Sequence, residues 1–261
     1  RQDFFQEALF PCAAYLNLWK IDGEGLVQPR KGDWYWFDHL YNQDDPVLEN
    51  AWYYAALDYC AHMARTLGEQ PLLDSLAQRM ESVRRGFESR FWQGDGYRSG
   101  KMMDDRANAL AVLTGLCPKE RYETVKQVLT SVQNASIYME NYVLLALGHM
   151  GCVEEGYRRM VSRYYNLAMN QNSTLWEDFT ILGTKNHAWS GAPATFAFRC
   201  LMGIDTTDGF AHVTISPNRA LFETMRCRFP GKGGMISVLV DNREGKTEVD
   251  NRSQGEVSLL P

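Results

Sequence analysis

Two short runs concentrate the chemistry of this chain: Thr174-Leu175-Trp176-Glu177-Asp178-Phe179 and, shortly after it, Asn186-His187-Ala188-Trp189-Ser190. Together they place a carboxylate, an imidazole and two indoles in a polar, glycine-broken segment between two helical patterns. Indoles beside carboxylates suit a sugar, whose ring has an apolar face that stacks on an indole and hydroxyls that a carboxylate or an imidazole can bond. Loops carried on a rigid helical scaffold are a common place for such chemistry. Each residue also has a plainer reading. Glu177 can be a surface residue or a helix cap, His187 a structural histidine, and Trp176 and Trp189 core.

A second aromatic-acidic loop, Lys31-Gly32-Asp33-Trp34-Tyr35-Trp36-Phe37-Asp38-His39, supplies further candidates. Ionised Asp33 only accepts hydrogen bonds, which suits sugar hydroxyls; it can equally close the loop as an Asx-turn. Trp34 and Trp36 join the candidates for a stacking platform. Glu140 opens an otherwise apolar helix, where it either favours the helix N-terminus electrostatically or binds a ligand. Asp104-Asp105-Arg106 reads as a capped helix start with an ion pair. The sequence calls for no cofactor and no metal. Its six cysteines form no CxxC pair, and Asp44-Asp45 and Asp104-Asp105 lack calcium-ligand spacing. No phosphate-cradling glycine loop or Gly-x-Ser-x-Gly elbow occurs.

The elements that must hold these residues are mostly helices. An apolar helical pattern covers residues 2–19, with Pro11 inside it. Asp45-Pro46 reads as an N-cap followed by proline in the first turn of a helix that runs to Leu67 and stops at Gly68. Further helices are expected from Pro71 to Trp92, over 104–115, from Pro118 to Val132, and over 137–150, 154–167 and 191–202. Eight helices joined alternately by short turns and longer loops make a series of αα-hairpins, and no fixed sequence period marks a repeat solenoid. After Gly203 the pattern turns to strands: 211–217, 223–229, 235–240, 246–250 and 256–260, with turns at Gly231–Gly234 and Asn242–Gly245. The chain therefore divides into a helical part, 1–205, and a small antiparallel, sandwich-like β module, 206–261.

These motifs, in this order, resemble the C-terminal part of an α-L-rhamnosidase-type glycoside hydrolase. The resemblance rests on Gly32-Asp33-Trp34, Val47–Leu57, Phe87–Trp92 with Gly96-Tyr97, Thr174–Glu177, Asn186-His187, and Gly209-Phe210 through Ile215-Ser216-Pro217. It implies a mainly α fold, an (α/α)6 toroid followed by a β domain. It also implies inverting hydrolysis of a terminal α-L-rhamnoside or related sugar. Inversion needs an acid to protonate the leaving oxygen and a base to activate water on the opposite face. The resemblance gives the base role to Glu177 and sugar contacts to Asp33, Trp34, Trp36, Glu140, Trp176, His187 and Trp189. Two departures stand out: eight helices where the toroid has twelve, and no acidic motif ahead of Gly32-Asp33-Trp34 to supply the acid. Residues 1–31 offer only Asp3, Glu7, Asp22 and Glu24, none in that context. The expectation is a C-terminal portion of a longer protein, consistent with a chain that opens at Arg1. The alternatives are a non-catalytic carbohydrate-binding fragment or pseudo-enzyme lacking the general acid, and a six-hairpin glycosidase of other sugar specificity.

The 261 residues suffice for a sizeable core. A net charge of −5 argues against nucleic acid as a partner. No stretch is apolar enough for a transmembrane helix, and no signal peptide is visible. The partner expected is a carbohydrate. Oligomeric state stays open, as does the compartment: bacterial cytoplasm, periplasm or outside the cell. The cysteines are expected to be mainly buried thiols.

Overall fold

A computed structural model describes residues 2–29, 38–40, 42–172, 174–180, 183–206 and 209–260. Eight helices among them come first: α1 (Gln2–Leu16), α2 (Asp45–Leu67), α3 (Gln70–Phe91), α4 (Asp105–Leu113), α5 (Tyr122–Ser131), α6 (Glu140–His149), α7 (Val153–Ala168) and α8 (Ala192–Phe196), the last continued by a π-turn, Ala197–Leu201. Six strands follow: β1 (Ile204–Thr206), β2 (His212–Ile215), β3 (Thr224–Gly231), β4 (Gly234–Asp241), β5 (Lys246–Asn251) and β6 (Glu256–Leu259). The chain forms two compact units, residues 1–146 and 147–261. No helix among the described residues is long and apolar enough to cross a membrane.

In the first unit α2 is the central element, packed against α1, α3 and α4. Its sequence is apolar nearly all round, and it buries Val47, Leu48, Ala51, Tyr53, Tyr54, Leu57, Cys60, Ala61 and Ala64. The helix ends where Gly68 takes φ 75°, a left-handed conformation that glycine adopts without a Cβ penalty. Its start corrects the sequence expectation by one residue. Asp44, not Asp45, is the cap position, and its side chain makes no capping bond. The Asp44 carboxylate instead accepts from Ser99 N (2.7 Å) and Ser99 Oγ (2.6 Å).

Two buried asparagines fasten non-helical chain to helices. Asn50 of α2 accepts from Val27 N at 2.9 Å and donates to Val27 O at 3.0 Å. Asn108 of α4 repeats this on Tyr97, at 2.8 and 2.9 Å. Each carboxamide acts as one rung of a β-ladder and satisfies backbone groups that burial would otherwise leave unpaired. The segment fastened by Asn50 also sets the spacing of α3. A Cβ at Gly86 would lie 2.4 Å from the Glu24 carbonyl oxygen. Gly86→Ala is expected to destabilise the protein by about 1–3 kcal/mol, read in denaturant unfolding, because backbone rather than a flexible side chain must move. An unchanged midpoint would show that this contact relaxes freely.

In the second unit close approach again depends on glycine. A Cβ at Gly156 would meet the Phe196 ring at 2.7 Å, and one at Gly148 would meet Cys200 Sγ at 2.3 Å. The strands form two three-stranded sheets, ordered β1-β2-β6 and β3-β4-β5. Alternation along β4 turns Ile236, Val238 and Val240 inward, where they pack with Met202, Ile204, Val213, Ile215 and Phe229. Two features depart from the sequence reading. The short strand β1 was not expected, and β2 pairs with β6 in parallel, from His212↔Glu256 to Ile215↔Leu259, so the module is not wholly antiparallel. Hairpin signals identify β3-β4-β5, whereas β2 and β6 are far apart in sequence and no local turn fixes their direction.

No disulfide joins the six cysteines, but only Cys60 and Cys117 are buried; Cys152, Cys200 and Cys227 are half-buried and Cys12 is exposed. Burial pushes the Cys117 and Cys200 thiols up to about 11, so neither is a thiolate at neutral pH.

Candidate functional site

The segment between α7 and α8 folds back on itself. Glu177 N donates to Thr184 O at 2.9 Å and His187 N to Leu175 O at 2.8 Å, so the two chemical runs lie side by side. The Glu177 carboxylate bridges the same fold: its Oε2 accepts from Thr184 N (2.8 Å) and Thr184 Oγ1 (2.9 Å). Gly183, at φ 79°, lets the chain pass close to that oxygen, since a Cβ there would stand 3.1 Å from Oε2. The Trp189 indole donates to the Glu177 carbonyl at 3.0 Å and stacks on His187 with ring centroids 4.1 Å apart. Ser190 Oγ donates to His187 O at 2.8 Å.

Phe179 anchors the segment to α7. Its ring meets Tyr164 edge-on at 5.1 Å and lies 4.0 Å beneath the Arg163 guanidinium. Asp178 closes an Asx-turn onto Thr180 N at 3.0 Å. Trp176 is 4% exposed, with Lys185 Nζ 3.8 Å above its ring, so it backs the segment rather than presenting an open face. Glu177, His187 and Trp189 remain half-buried. Among the described residues, Trp176 Nε1 and His187 Nδ1 are buried polar atoms without a hydrogen-bond partner, as are Trp52 Nε1 and Arg98 Nε outside this segment. A buried polar atom of this kind is one that a ligand or a water can satisfy. Beside the segment lies an open groove of about 720 Å³ lined by Gln171, Asn172, Thr174, Thr184, Lys185 and Asn186. The sequence reading missed Gly183, Thr184 and Lys185. A threonine in a polar loop carries no signal of its own until the fold places it on a carboxylate.

The carboxylates of the first unit are arranged differently. Arg106 is fully buried, donating to Asp104 through Nε (2.8 Å) and Nη2 (3.0 Å), to Asp38 Oδ2 through Nη1 (2.9 Å), and to the Asn42 carbonyl. Asp104 also caps α4 by accepting from Arg106 N and takes a bond from Asp44 N at 2.9 Å. Asp38 accepts further from Ser136 N (3.0 Å) and His39 N (2.7 Å). Burial opposes the Arg106 charge, but its bonds to Asp104 and Asp38 outweigh this and hold its pKa above the ordinary value. The capped, ion-paired start expected of Asp104-Asp105-Arg106 is present, and it extends to a residue from the other candidate loop. Burial likewise pushes the Asp45 carboxyl upward, reinforced by Asp44 and Asp104.

Of the sequence candidates, Asp33, Trp34 and Trp36 lie outside the described residues. Glu140 is fully buried at the first residue of α6. Asp22 and Glu24, considered for want of an acid, are committed elsewhere. Asp22 accepts from the N–H groups of Glu24 (2.9 Å) and Leu26 (3.0 Å), and both carboxylates pair with Arg90. Among the described residues no three His, Cys, Asp or Glu side chains converge as metal ligands.

Comparison with known proteins agrees with this architecture. Solved structures similar to the chain include a GH78-family rhamnosidase of Bacillus sp. GL1, at a TM-score of 0.83 and 18% identity, covering 100% of this chain and 31% of that one. The α-L-rhamnosidase of Streptomyces avermitilis complexed with L-rhamnose gives 0.77 and 19%, covering 95% and 26%. The native α-L-rhamnosidase of Aspergillus terreus gives 0.79 and 13%, covering 100% and 34%. At these identities the likeness establishes the fold, and the chain spans about a third of the length of those structures or less. No curated protein sequence matches it. The model of the bacterial α-L-rhamnosidase six-hairpin glycosidase domain matches residues 4–201, and the chain therefore belongs to that family.

Proposed function

We propose that the complete protein is a glycoside hydrolase that removes a terminal α-L-rhamnosyl or related residue with inversion, and that Glu177 is its general base. The observation that carries this reading is the Glu177 carboxylate, half-buried and gripped through Oε2 by Thr184, in a segment where Trp176 Nε1 and His187 Nδ1 are buried without partners. A general base must be ionised, oriented and able to reach a water. The two donors on Oε2 fix the carboxylate plane. His187 and Trp189 provide an imidazole and a half-buried aromatic face for a sugar. Trp176 backs that face. The sequence pattern adds Asp33, Trp34, Trp36 and Glu140 as proposed sugar contacts, and 1–205 and 206–261 as the proposed catalytic and β domains. The acid is assigned to no residue of this chain.

The reaction is hydrolysis. Water adds to the anomeric carbon, Glu177 takes its proton, and the glycosidic oxygen leaves protonated by the acid. An aryl α-L-rhamnoside should therefore be cleaved by the complete protein. Proton NMR during the first turnovers should show β-L-rhamnose forming first, then equilibrating to the α anomer. An initial α product would exclude Glu177 as the base of a single displacement, and no cleavage of any α-L-rhamnoside would exclude the substrate class.

A further inference from the structure

We propose that the outward face of α1 is a docking surface for a further helical hairpin of the same polypeptide, supplied by a part of the complete protein outside residues 1–261. Between Phe4 and Leu18 the chain holds one charged residue, Glu7. Leu9 and Leu16 are buried. The helix packs on α2, where Phe5 meets His62 edge-on at 5.7 Å and Tyr53 Oη donates to Leu16 O at 3.4 Å. The rest of its surface carries Phe4, Phe10 and Tyr15, which with Leu18 just past the helix are between 56% and 65% exposed. Pro11 and Ala14 are exposed among them. A helix at a finished surface turns charged and polar residues to water, whereas one that is apolar on both sides is covered on both. Large contiguous apolar patches mark interfaces.

The number of hairpins identifies what covers this one. The matching domain has six hairpins, and two helices make a hairpin, so it has twelve helices. Eight are present among the described residues, which is four hairpins. The chain also spans about a third or less of the length of the structures it resembles. In a closed ring of hairpins every helix has a neighbour on each flank. α1 opens the series, and its exposed flank is where the ring continues. A second copy laid on α1 would cover the patch but leave the hairpin count at four. The occupant is therefore an amphipathic hairpin that turns its apolar stripe to Phe4, Phe10, Tyr15 and Leu18.

The test replaces Phe10 by the photo-crosslinker p-benzoylphenylalanine in the complete protein. Irradiation is expected to join it to a peptide outside residues 1–261 while the mass of the polypeptide stays that of one chain. A product of twice that mass overturns the proposal in favour of a second copy. A crosslink confined to residues 1–261, or none, overturns it as well. A second, smaller change covers the case in which the bulky residue disturbs folding: Ala14→Cys with Cys12→Ser, both at exposed positions. In the native complete protein the introduced thiol should react with a maleimide about 100-fold more slowly than in urea, because only transient opening exposes a covered helix. Peptide mass separates this thiol from the other five. A native rate within about two-fold of the unfolded rate shows an open face and overturns the proposal.

Discussion

Replacing Glu177 by Gln is expected to lower kcat of the complete protein on the order of 10³-fold, within the range that general-base catalysis contributes. The substitution keeps the size of the side chain and an oxygen that can still accept from Thr184, so the fold of the segment should persist. What it removes is the ability to take a proton from water. KM should change little, because the lost interaction belongs to the transition state. A sharper form of the experiment uses Glu177→Ala with sodium azide. Azide is anionic and needs no base, so it should restore turnover and yield the β-L-rhamnosyl azide. A Glu177→Gln enzyme within about ten-fold of wild type, or a failure of azide to rescue Glu177→Ala, would move the base elsewhere.

The second large effect is on stability. Arg106→Met is expected to destabilise the protein by about 3–5 kcal/mol, the usual result of removing one partner from a buried charge pair. The guanidinium lies fully buried between Asp104 and Asp38, and methionine fills a similar volume without supplying charge or donors. Two carboxylates would then be left in the interior without the guanidinium, with backbone N–H groups and, for Asp38, only the His39 imidazole at 3.4 Å. Urea unfolding of wild type and variant at pH 7 would read the loss. A loss below about 1 kcal/mol at pH 7 would show that the cluster is solvated or replaceable. Asp104→Asn should cost less, since Arg106 keeps Asp38.

The helices themselves were legible because their signals are local. Gly68 stops α2 and a proline opens α2 and α3 near the expected places. The apolar face of α2 is visible in Ala51-Trp52-Tyr53-Tyr54-Ala55-Ala56-Leu57. The hairpins β3-β4 and β4-β5 follow from Gly231–Gly234 and Asn242–Gly245, where glycine supplies the turn. The segment holding Glu177, His187 and Trp189 announced itself by composition alone.

The same sequence was silent on what these polar residues touch. Asp38 and Arg106 are 68 residues apart, and hydrophobic periodicity assigns charged groups to the surface, so nothing local distinguishes a buried ion pair from a solvated helix start. Asn50 and Asn108 were invisible for the same reason: a carboxamide on a helix has no pattern that reveals a backbone rung opposite it. The parallel pairing of β2 with β6 joins segments more than 40 residues apart, which no local turn brings together.

By itself, then, the sequence determined the succession of helices and strands and their stops, and it supplied the candidate side chains for the proposed sugar-cleaving site. Those depend on backbone preference and residue type over a few neighbouring positions. Only the tertiary structure decided that Thr184 grips one oxygen of Glu177, that Trp189 braces the same residue, and that Arg106 sits between two aspartates in the interior. A carboxylate's ionisation and orientation are set by the donors and the dielectric around it, and packing assembles both from distant parts of the chain.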